Sequence, residues 1–409
     1  PLRLVGSEMC IRDSYTTVQA AINAAPANLT SPYLIFIAAG TYNECVYIPK
    51  TKPFIHLIGE NPDRVKIQFA LNRVEEQTNS DTWPYSIHNP NSPARLAGYT
   101  TDQNCVVLIK ATDVYLENIS IINLYGALKS RYDGGLGKGG QAEALCSHYD
   151  RLAMNNCKLV SFQDTWWTRF QKVNGTYGIC RAYVQNSWIE GSTDYIWGSG
   201  DVLIENSTFY NTGNGSFITA SRSNETDAYG YVMKDCTIDG EAGITAFSFG
   251  RQQSTSAKAV FINTALKMDI IDGHWTAGSA APALFGEYNT VDKNNQVIST
   301  GDMTVGSGSS QFTAKVLSAD EAAGYTYENI IAREGWNPKQ YMQTPGTTMA
   351  TLDGTTLSWN AIDGAAGYLI FVNGVYLAQT TETSVSVTTA ADRVYTVRGV
   401  GHYGSISAE

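Results

Sequence analysis

No stretch of this chain approaches 18 consecutive apolar residues, so nothing in it reads as a membrane-spanning helix. Basic charge is also scarce. The 28 Lys and Arg face 38 Asp and Glu, and the net charge of −10 argues against a nucleic-acid partner, which needs a basic surface. The seven cysteines form no CxxC pair and no Cys/His cluster, which argues against a structural zinc site. No G-x-S-x-G elbow is present, and neither His148 nor His274 has a Ser or Asp at suggestive spacing, which disfavours a Ser-His-Asp hydrolase. Helical periodicity is confined to residues 16–25 (TTVQAAINAA) and 318–323 (SADEAA), each opened by a Ser or Thr cap. Residues 1–14 (PLRLVGSEMCIRDS) lack a start Met, an apolar signal core and a small-residue cleavage site, and read as a non-native or truncated leader.

What is present is a repeat. Asn or Asp, a small residue, any residue and an apolar one recur at Asn118-Ile119-Ser120-Ile121, Asn156-Cys157-Lys158-Leu159, Asn186-Ser187-Trp188-Ile189, Asn206-Ser207-Thr208-Phe209, Asp235-Cys236-Thr237-Ile238 and Asn263-Thr264-Ala265-Leu266. Only Ile119 is bulky at the second position. The leading residues are 38, 30, 20, 29 and 28 apart. That drifting period, with short Val/Ile/Thr/aromatic segments between unequal Gly/Asn/Ser loops, predicts an all-β solenoid: a parallel β-helix with the first helix covering its open end. A large β-sandwich also has many short strands but does not predict an in-register Asn. Cys157 and Cys236 share a register, which favours small buried thiols stacked inside the coil, while a disulfide through Cys180 or Cys146 stays open.

Two acids share a register too. Asp164 and Asp194 each follow their unit's Asn by eight residues, so stacking places the carboxylates one above the other, about 4.8 Å apart by strand spacing. At that distance each perturbs the other's proton affinity, and the pair titrates as a unit. Asp164 alone would read as a turn cap. Beside the pair lie Gln141 in QAEAL, Gln163 in QDTWW and Arg251 in FGRQ. Two amides, two carboxylates and one guanidinium suit ester hydrolysis by a carboxylate nucleophile. One Asp attacks, the other protonates the departing alkoxide, Arg keeps the nucleophile ionised, and Gln N–H groups stabilise the oxyanion.

These segments resemble those of the pectin methylesterase family, carbohydrate esterases on a right-handed parallel β-helix. Gly40-Thr41-Tyr42-Asn43-Glu44 matches the family's GxYxE segment, and QAEAL, QDT, DYIWG (194–198) and FGRQQ (249–253) match its QAxAL, QDT, DFIFG and LGRPW. Phe285-Gly286-Glu287-Tyr288-Asn289 and residues 316–336 resemble its late segments. The resemblance runs from Tyr15 to Gln340 and implies Asp194 as nucleophile, Asp164 as general acid then base, Gln141 and Gln163 as oxyanion donors, and Arg251 as the group that orients Asp194. It implies hydrolysis of C6 methyl esters of galacturonate in pectin, with release of methanol and no metal or organic cofactor. The expected enzyme is a monomer working outside the cell, in the periplasm or at the cell surface. Tyr42 and Glu44 are expected to brace an early coil. The family's GRPW tryptophan, part of its sugar platform, is Gln253 here, and the preceding Pro is Gln252. Trp166, Trp167, Tyr195, Trp197 and Trp275 are the candidates to replace it by stacking on sugar rings. Residues 75–103, with Asp81-Thr82-Trp83-Pro84-Tyr85, are expected to form a loop beside the cleft.

Composition shifts after Gln340. A Thr/Gly/Pro linker at 342–348 leads from the esterase-like region, 15–341, into residues 349–409, where alternating short strands surround an Asn373-Gly374 turn. This part resembles a fibronectin type III module, a small β-sandwich with Trp359 in its core and Tyr395 on a later strand, and is expected to act as a spacer or accessory binding unit. The rivals to the esterase are a backbone-cleaving polygalacturonate glycosidase or lyase and a non-catalytic pectin-binding protein on an esterase scaffold. The flanking glutamines and Arg251 fit an acyl oxyanion better than a glycosidic bond.

Overall fold

A computed structural model describes residues 3–5, 14–71, 105–126, 141–169 and 176–408 of the 409-residue chain. The expected cleft loop at 75–103, Gly140, and residues 6–13 of the expected leader lie outside the described residues. The strand Arg3–Val5 adds in parallel to Tyr33–Ile37.

Each coil turns through three parallel sheets. One runs Leu152–Asn155 in the first sheet, Lys158–Val160 in the second and Trp166–Thr168 in the third, then returns to the first at Arg181–Gln185. The repeat now has a physical meaning. Its leading residue takes a left-handed backbone at the corner between the first two sheets, with φ of 57° at Asn118, 50° at Asn156, 52° at Asn186, 48° at Asn206, 55° at Asp235 and 52° at Asn263. Asn and Asp tolerate that region better than other side-chain-bearing residues. Asn289, at 52°, continues the series. Three neighbouring pairs bond side chain to side chain along the corner. Asn156 Nδ2 donates to Asn118 Oδ1 (2.7 Å), Asn263 Nδ2 to Asp235 Oδ1 (2.8 Å) and Asn289 Nδ2 to Asn263 Oδ1 (3.0 Å). The small second residue turns inward, where Ser187 Oγ accepts from Cys157 N and Ser207 Oγ from Ser187 N. The apolar fourth residue becomes the inward column of the second sheet, Ile121, Leu159, Ile189, Phe209, Ile238 and Leu266, in register and buried. Burial of such a side chain is worth roughly 1.5–3 kcal/mol. Cys157 and Cys236 are both buried inside the coil, and the described cysteines, Cys146 and Cys180 included, are free thiols.

The helix Val18–Ala24 covers the first coil, capped by Thr17, with Val18, Ala21 and Ile22 buried. Glu44 accepts from the Val18 and Gln19 N–H groups, and Tyr42 donates to Ala38 O, so both hold an early coil in place. Ser318 caps the helix Ala319–Ala323 with a capping box to Glu321.

After the last coil the chain folds back along the outer face of the first sheet. Tyr327, Ile330, Trp336 and Tyr341 pack there on Phe36, Ile58, Tyr115, Tyr183 and Leu203. Residues beyond 349 form two three-stranded antiparallel sheets, with a two-residue turn at Asn373 (φ 50°) and Gly374 (φ 73°). Trp359 is buried between them. This unit does not stand off as a spacer. Leu369, Phe371, Val400 and Ile406 join the same apolar cluster on the first sheet. Ser405 Oγ donates to Glu117 Oε2 (2.7 Å), and His56 Nδ1 bonds the Tyr403 carbonyl (2.9 Å). Burial on both faces explains why the first sheet's strands read as continuous apolar runs.

Candidate active site

The outer face of the third sheet carries the polar constellation. Trp166 pairs with Ile196, so Asp164 and Asp194 lie in register on consecutive coils, and Asp164 N–H donates to Thr193 O (3.0 Å). Both take left-handed backbones, φ 60° and 52°, at the corner that leads into the third sheet. Arg251 comes from the strand Phe247–Gln252, two coils on. Its Nε donates to Asp194 Oδ1 (2.9 Å) and its second terminal nitrogen to Oδ2 (2.5 Å), a bidentate fork that fixes the carboxylate's plane. This pairing in turn holds the guanidinium's pKa above its ordinary value. The guanidinium crosses the Phe217 ring at 4.8 Å, and Phe217 occupies the same register column as the two aspartates.

Asp164 is buried to much the same degree as Asp194 but, among the described residues, has no such cationic fork. It is nearly fully buried, and that burial, followed by the negative charges of Glu143 and Asp194, raises its proton affinity well above the carboxylate range. A hydrogen bond from the Gln141 side chain and the charge of Arg251 oppose the rise. The corner therefore holds one carboxyl group disposed to keep its proton and one paired with a cation. Gln163 is partly exposed beside Asp164, and its carbonyl accepts from Ala142 N–H (3.2 Å).

Strand alternation sorts the aromatic candidates. Trp167 and Trp197 face outward and stack on each other, centroids 4.5 Å apart at 11°. They line a groove of about 740 Å³ that continues past Gly198 to Arg169, Arg222 and Asn224. Gly198 has φ 115°, and a Cβ there would lie 1.7 Å from Thr168 O, so a side chain is excluded at the groove floor. The Arg169 guanidinium lies 5.3 Å from the Trp167 ring centre. Trp166, Tyr195 and Trp275 are corrected from sugar platform to core, being 0%, 0% and 1% exposed. Trp166 and Tyr195 turn inward, where Trp166 Nε1 donates to Ser147 Oγ and Tyr195 OH to Asn211 Oδ1. Trp275 stacks on Phe285 at 4.3 Å. Gln252 is buried, with its side-chain oxygen accepting from Gly278 N–H, whereas Gln253 is exposed.

The histidines do other work. His148 is buried edge-on against Trp167, and desolvation lowers its pKa to about 3. His274 bonds Glu287 (2.6 Å) in the interior, and Ser248 reaches only its backbone carbonyl. Sequence reasoning missed Glu143, Phe217, Arg169 and Arg222. The first two were detectable only by extending the aspartate column one coil in each direction.

A pectinesterase family model matches residues 10–95 and 91–334. A probable pectinesterase A of Neosartorya fischeri is 27% identical over 327 residues, covering 79% of this chain and 85% of its own. A pectinesterase of Sitophilus oryzae is 29% identical over 254 residues, 58% of this chain and 63% of its own. Among solved structures, a pectin methylesterase from carrot superposes with a TM-score of 0.62 at 20% identity, covering 84% of this chain and 96% of that one. A pectin methylesterase in complex with a hexasaccharide gives 0.60 at 23%, covering 82% and 98%. At these identities the structures speak for the fold.

Proposed function

The chain belongs to the pectinesterase family, and from that premise we infer that it is a carboxylic ester hydrolase that removes methyl groups from esterified pectin. The observation that carries the mechanism is the unequal partnering of two buried aspartates, one forked by Arg251 and the other proton-retaining. We propose that Asp194, kept ionised by Arg251, attacks the C6 ester carbonyl. The carbonyl oxygen takes the negative charge and is met by N–H groups of Gln141 and Gln163. Collapse of the tetrahedral intermediate breaks the bond to the methoxy oxygen, which takes the proton of Asp164 and leaves as methanol. Asp164, now ionised, removes a proton from water. The hydroxide adds to the acyl carbon and Asp194 departs as carboxylate with the proton restored on Asp164, giving galacturonic acid, which releases its proton to water as galacturonate.

The groove supports a polymeric, anionic substrate. The stacked Trp167 and Trp197 offer an apolar edge to a sugar ring, and Arg169 and Arg222 offer positive charge to uronate carboxylates further along. A pectin substrate points to a secreted, periplasmic or cell-surface enzyme, and nothing in the proposed chemistry requires a second copy of the chain.

Methanol release from highly methylated pectin, with reducing ends and unsaturated products followed in the same tube, tests the assignment. Methanol without new chain ends is expected. New reducing ends or unsaturated products without methanol would replace the esterase by a backbone-cleaving enzyme, and no product from plain or decorated pectins would leave a binding protein.

A further inference from the structure

The column of acids does not end at Asp164. The strand Glu143–Ser147 pairs with Trp166–Thr168 with Leu145 opposite Trp166. Ala142 N–H donates to Gln163 O (3.2 Å) and Ala144 N–H to Thr165 O (2.9 Å), so residue 143 neighbours residue 164 across the ladder as 164 neighbours 194. Glu143 is 1% exposed. Three carboxyl groups thus follow one another, one per coil, at the strand spacing of about 4.8 Å. The family segment matched by QAEAL leaves this position unspecified, and the reaction derived above uses no third acid.

We propose that Glu143 is a positioning residue for the proton on Asp164: its shielded negative charge, one coil behind, keeps Asp164 in the acid form at a pH where Asp194 is ionised. The proposal rests on Asp164 being the general acid. Flanked by a carboxylate on either side along the column, Asp164 can lose its proton only by placing a third negative charge between two others. Arg251 relieves this from one end, since it is bonded to Asp194. Among the described residues, the groups acting on Asp164 are Gln141, Glu143 and Cys146 from the preceding segment and coil, Asp194 from the next, and Arg251 beyond it. Burial and the charges of Glu143 and Asp194 all raise its proton affinity. A Glu at this position therefore extends turnover toward higher pH, because methoxide is a poor leaving group without that proton.

The test is the pH profile of kcat/KM for methanol release from a methylated oligogalacturonide by Glu143→Gln, which keeps the shape and removes the charge. The basic limb should move to lower pH by about one unit, so that rates on the alkaline side fall roughly tenfold while the plateau at lower pH stays within about threefold. A limb superimposed on that of the unsubstituted enzyme, or an equal loss at every pH, overturns the proposal. Should this variant fail to fold, Glu143→Asp draws the charge back by one methylene and should move the limb the same way by less; no movement overturns the proposal. An infrared titration of the protonated carboxyl band, assigned by its loss in Asp164→Asn, separates this from the esterase assignment. The band should disappear at lower pH in Glu143→Gln than in the unsubstituted protein whether or not pectin is the substrate, and an unshifted band overturns the proposal.

Discussion

At the corner between the first and second sheets, Asn118, Asn156, Asn186, Asn206, Asp235, Asn263 and Asn289 adopt the left-handed backbone. At the corner leading into the third sheet, Asp164 and Asp194 do the same. The backbone device is shared, at a cost on the order of 1 kcal/mol per residue. The side chains part company. Along the first corner, an amide donates to its neighbour's oxygen at Asn156, Asn263 and Asn289, in water and mostly without charge. At the second corner the carboxylates have no N–H to give each other, and they are buried. One corner satisfies itself; the other is left with an unmet demand that Arg251, Gln141 and a proton must fill. A solenoid thus supplies stacking geometry at every corner, and the choice between amide and carboxylate decides whether that geometry stabilises the coil or, under the proposed mechanism, becomes reactive.

The sharpest way to break this comparison is to write the first corner's residue into the second. Asp194→Asn keeps a side chain that tolerates the left-handed backbone and still offers an oxygen to Arg251, but it cannot attack an ester. Methanol release should fall by at least about 10⁴-fold, the scale of removing a nucleophile. The unfolding midpoint should hold or rise, because the charge beside buried Asp164 is gone. Retained turnover would move the nucleophile elsewhere and leave the second corner merely structural.

The fold was legible because the corner residue, the small inward residue and the inward apolar residue all fall in one four-residue signature. The aspartate register was legible for the same reason, since the count of eight residues from Asn to Asp spans one strand and one corner. The aromatic platform was not. Trp166 and Trp167 are adjacent and chemically identical, and only the phase of the strand, fixed by the pairing of Trp166 with Ile196, sends the first inward and the second into the groove. Glu143 was hidden differently. Glu143 follows Asn118 by 25 residues, where Asp164 and Asp194 follow their Asn by eight, so no constant offset from an Asn led to it. The docking of the C-terminal unit was illegible because the row it covers, Phe36, Ile58, Tyr115 and Leu203, reads as ordinary strand residues until both faces of the first sheet are known to be buried.

That covered face offers a second, smaller test. Removing residues 349–409 takes Leu369, Phe371, Val400 and Ile406 off the first sheet and breaks the Ser405–Glu117 bond. At roughly 1.5–3 kcal/mol per buried apolar side chain, the coil should lose several kcal/mol of stability. The corner proposed as reactive lies on the third sheet, so kcat of the folded fraction on a small methylated oligogalacturonide should stay within about twofold. Thermal unfolding and methanol release, measured on one preparation, separate the two effects. A large fall in kcat at a temperature where the truncated protein is still folded would mean that the C-terminal unit shapes the reactive corner from behind.

The smallest expected effect comes from writing the second corner into the first. In Asn263→Asp the new carboxylate meets Asp235, to which Asn263 now donates at 2.8 Å, and two like charges replace a hydrogen bond. Both residues are exposed, so water screens the repulsion, and the penalty at neutral pH should be about 0.5–1 kcal/mol. The sign with pH follows from linkage. Repulsion raises a folded-state carboxyl pKa above its unfolded value, so the folded protein binds protons more readily. The penalty relative to the unsubstituted protein is therefore present above that raised pKa and fades as pH falls through and below about 4. Denaturant unfolding of both proteins at neutral pH and near pH 4 measures it, and methanol release should not change at all. A variant as stable as the parent at neutral pH would mean that the corner tolerates stacked carboxylates without a partner. The contrast between the two corners would then rest on burial rather than on amide against carboxylate.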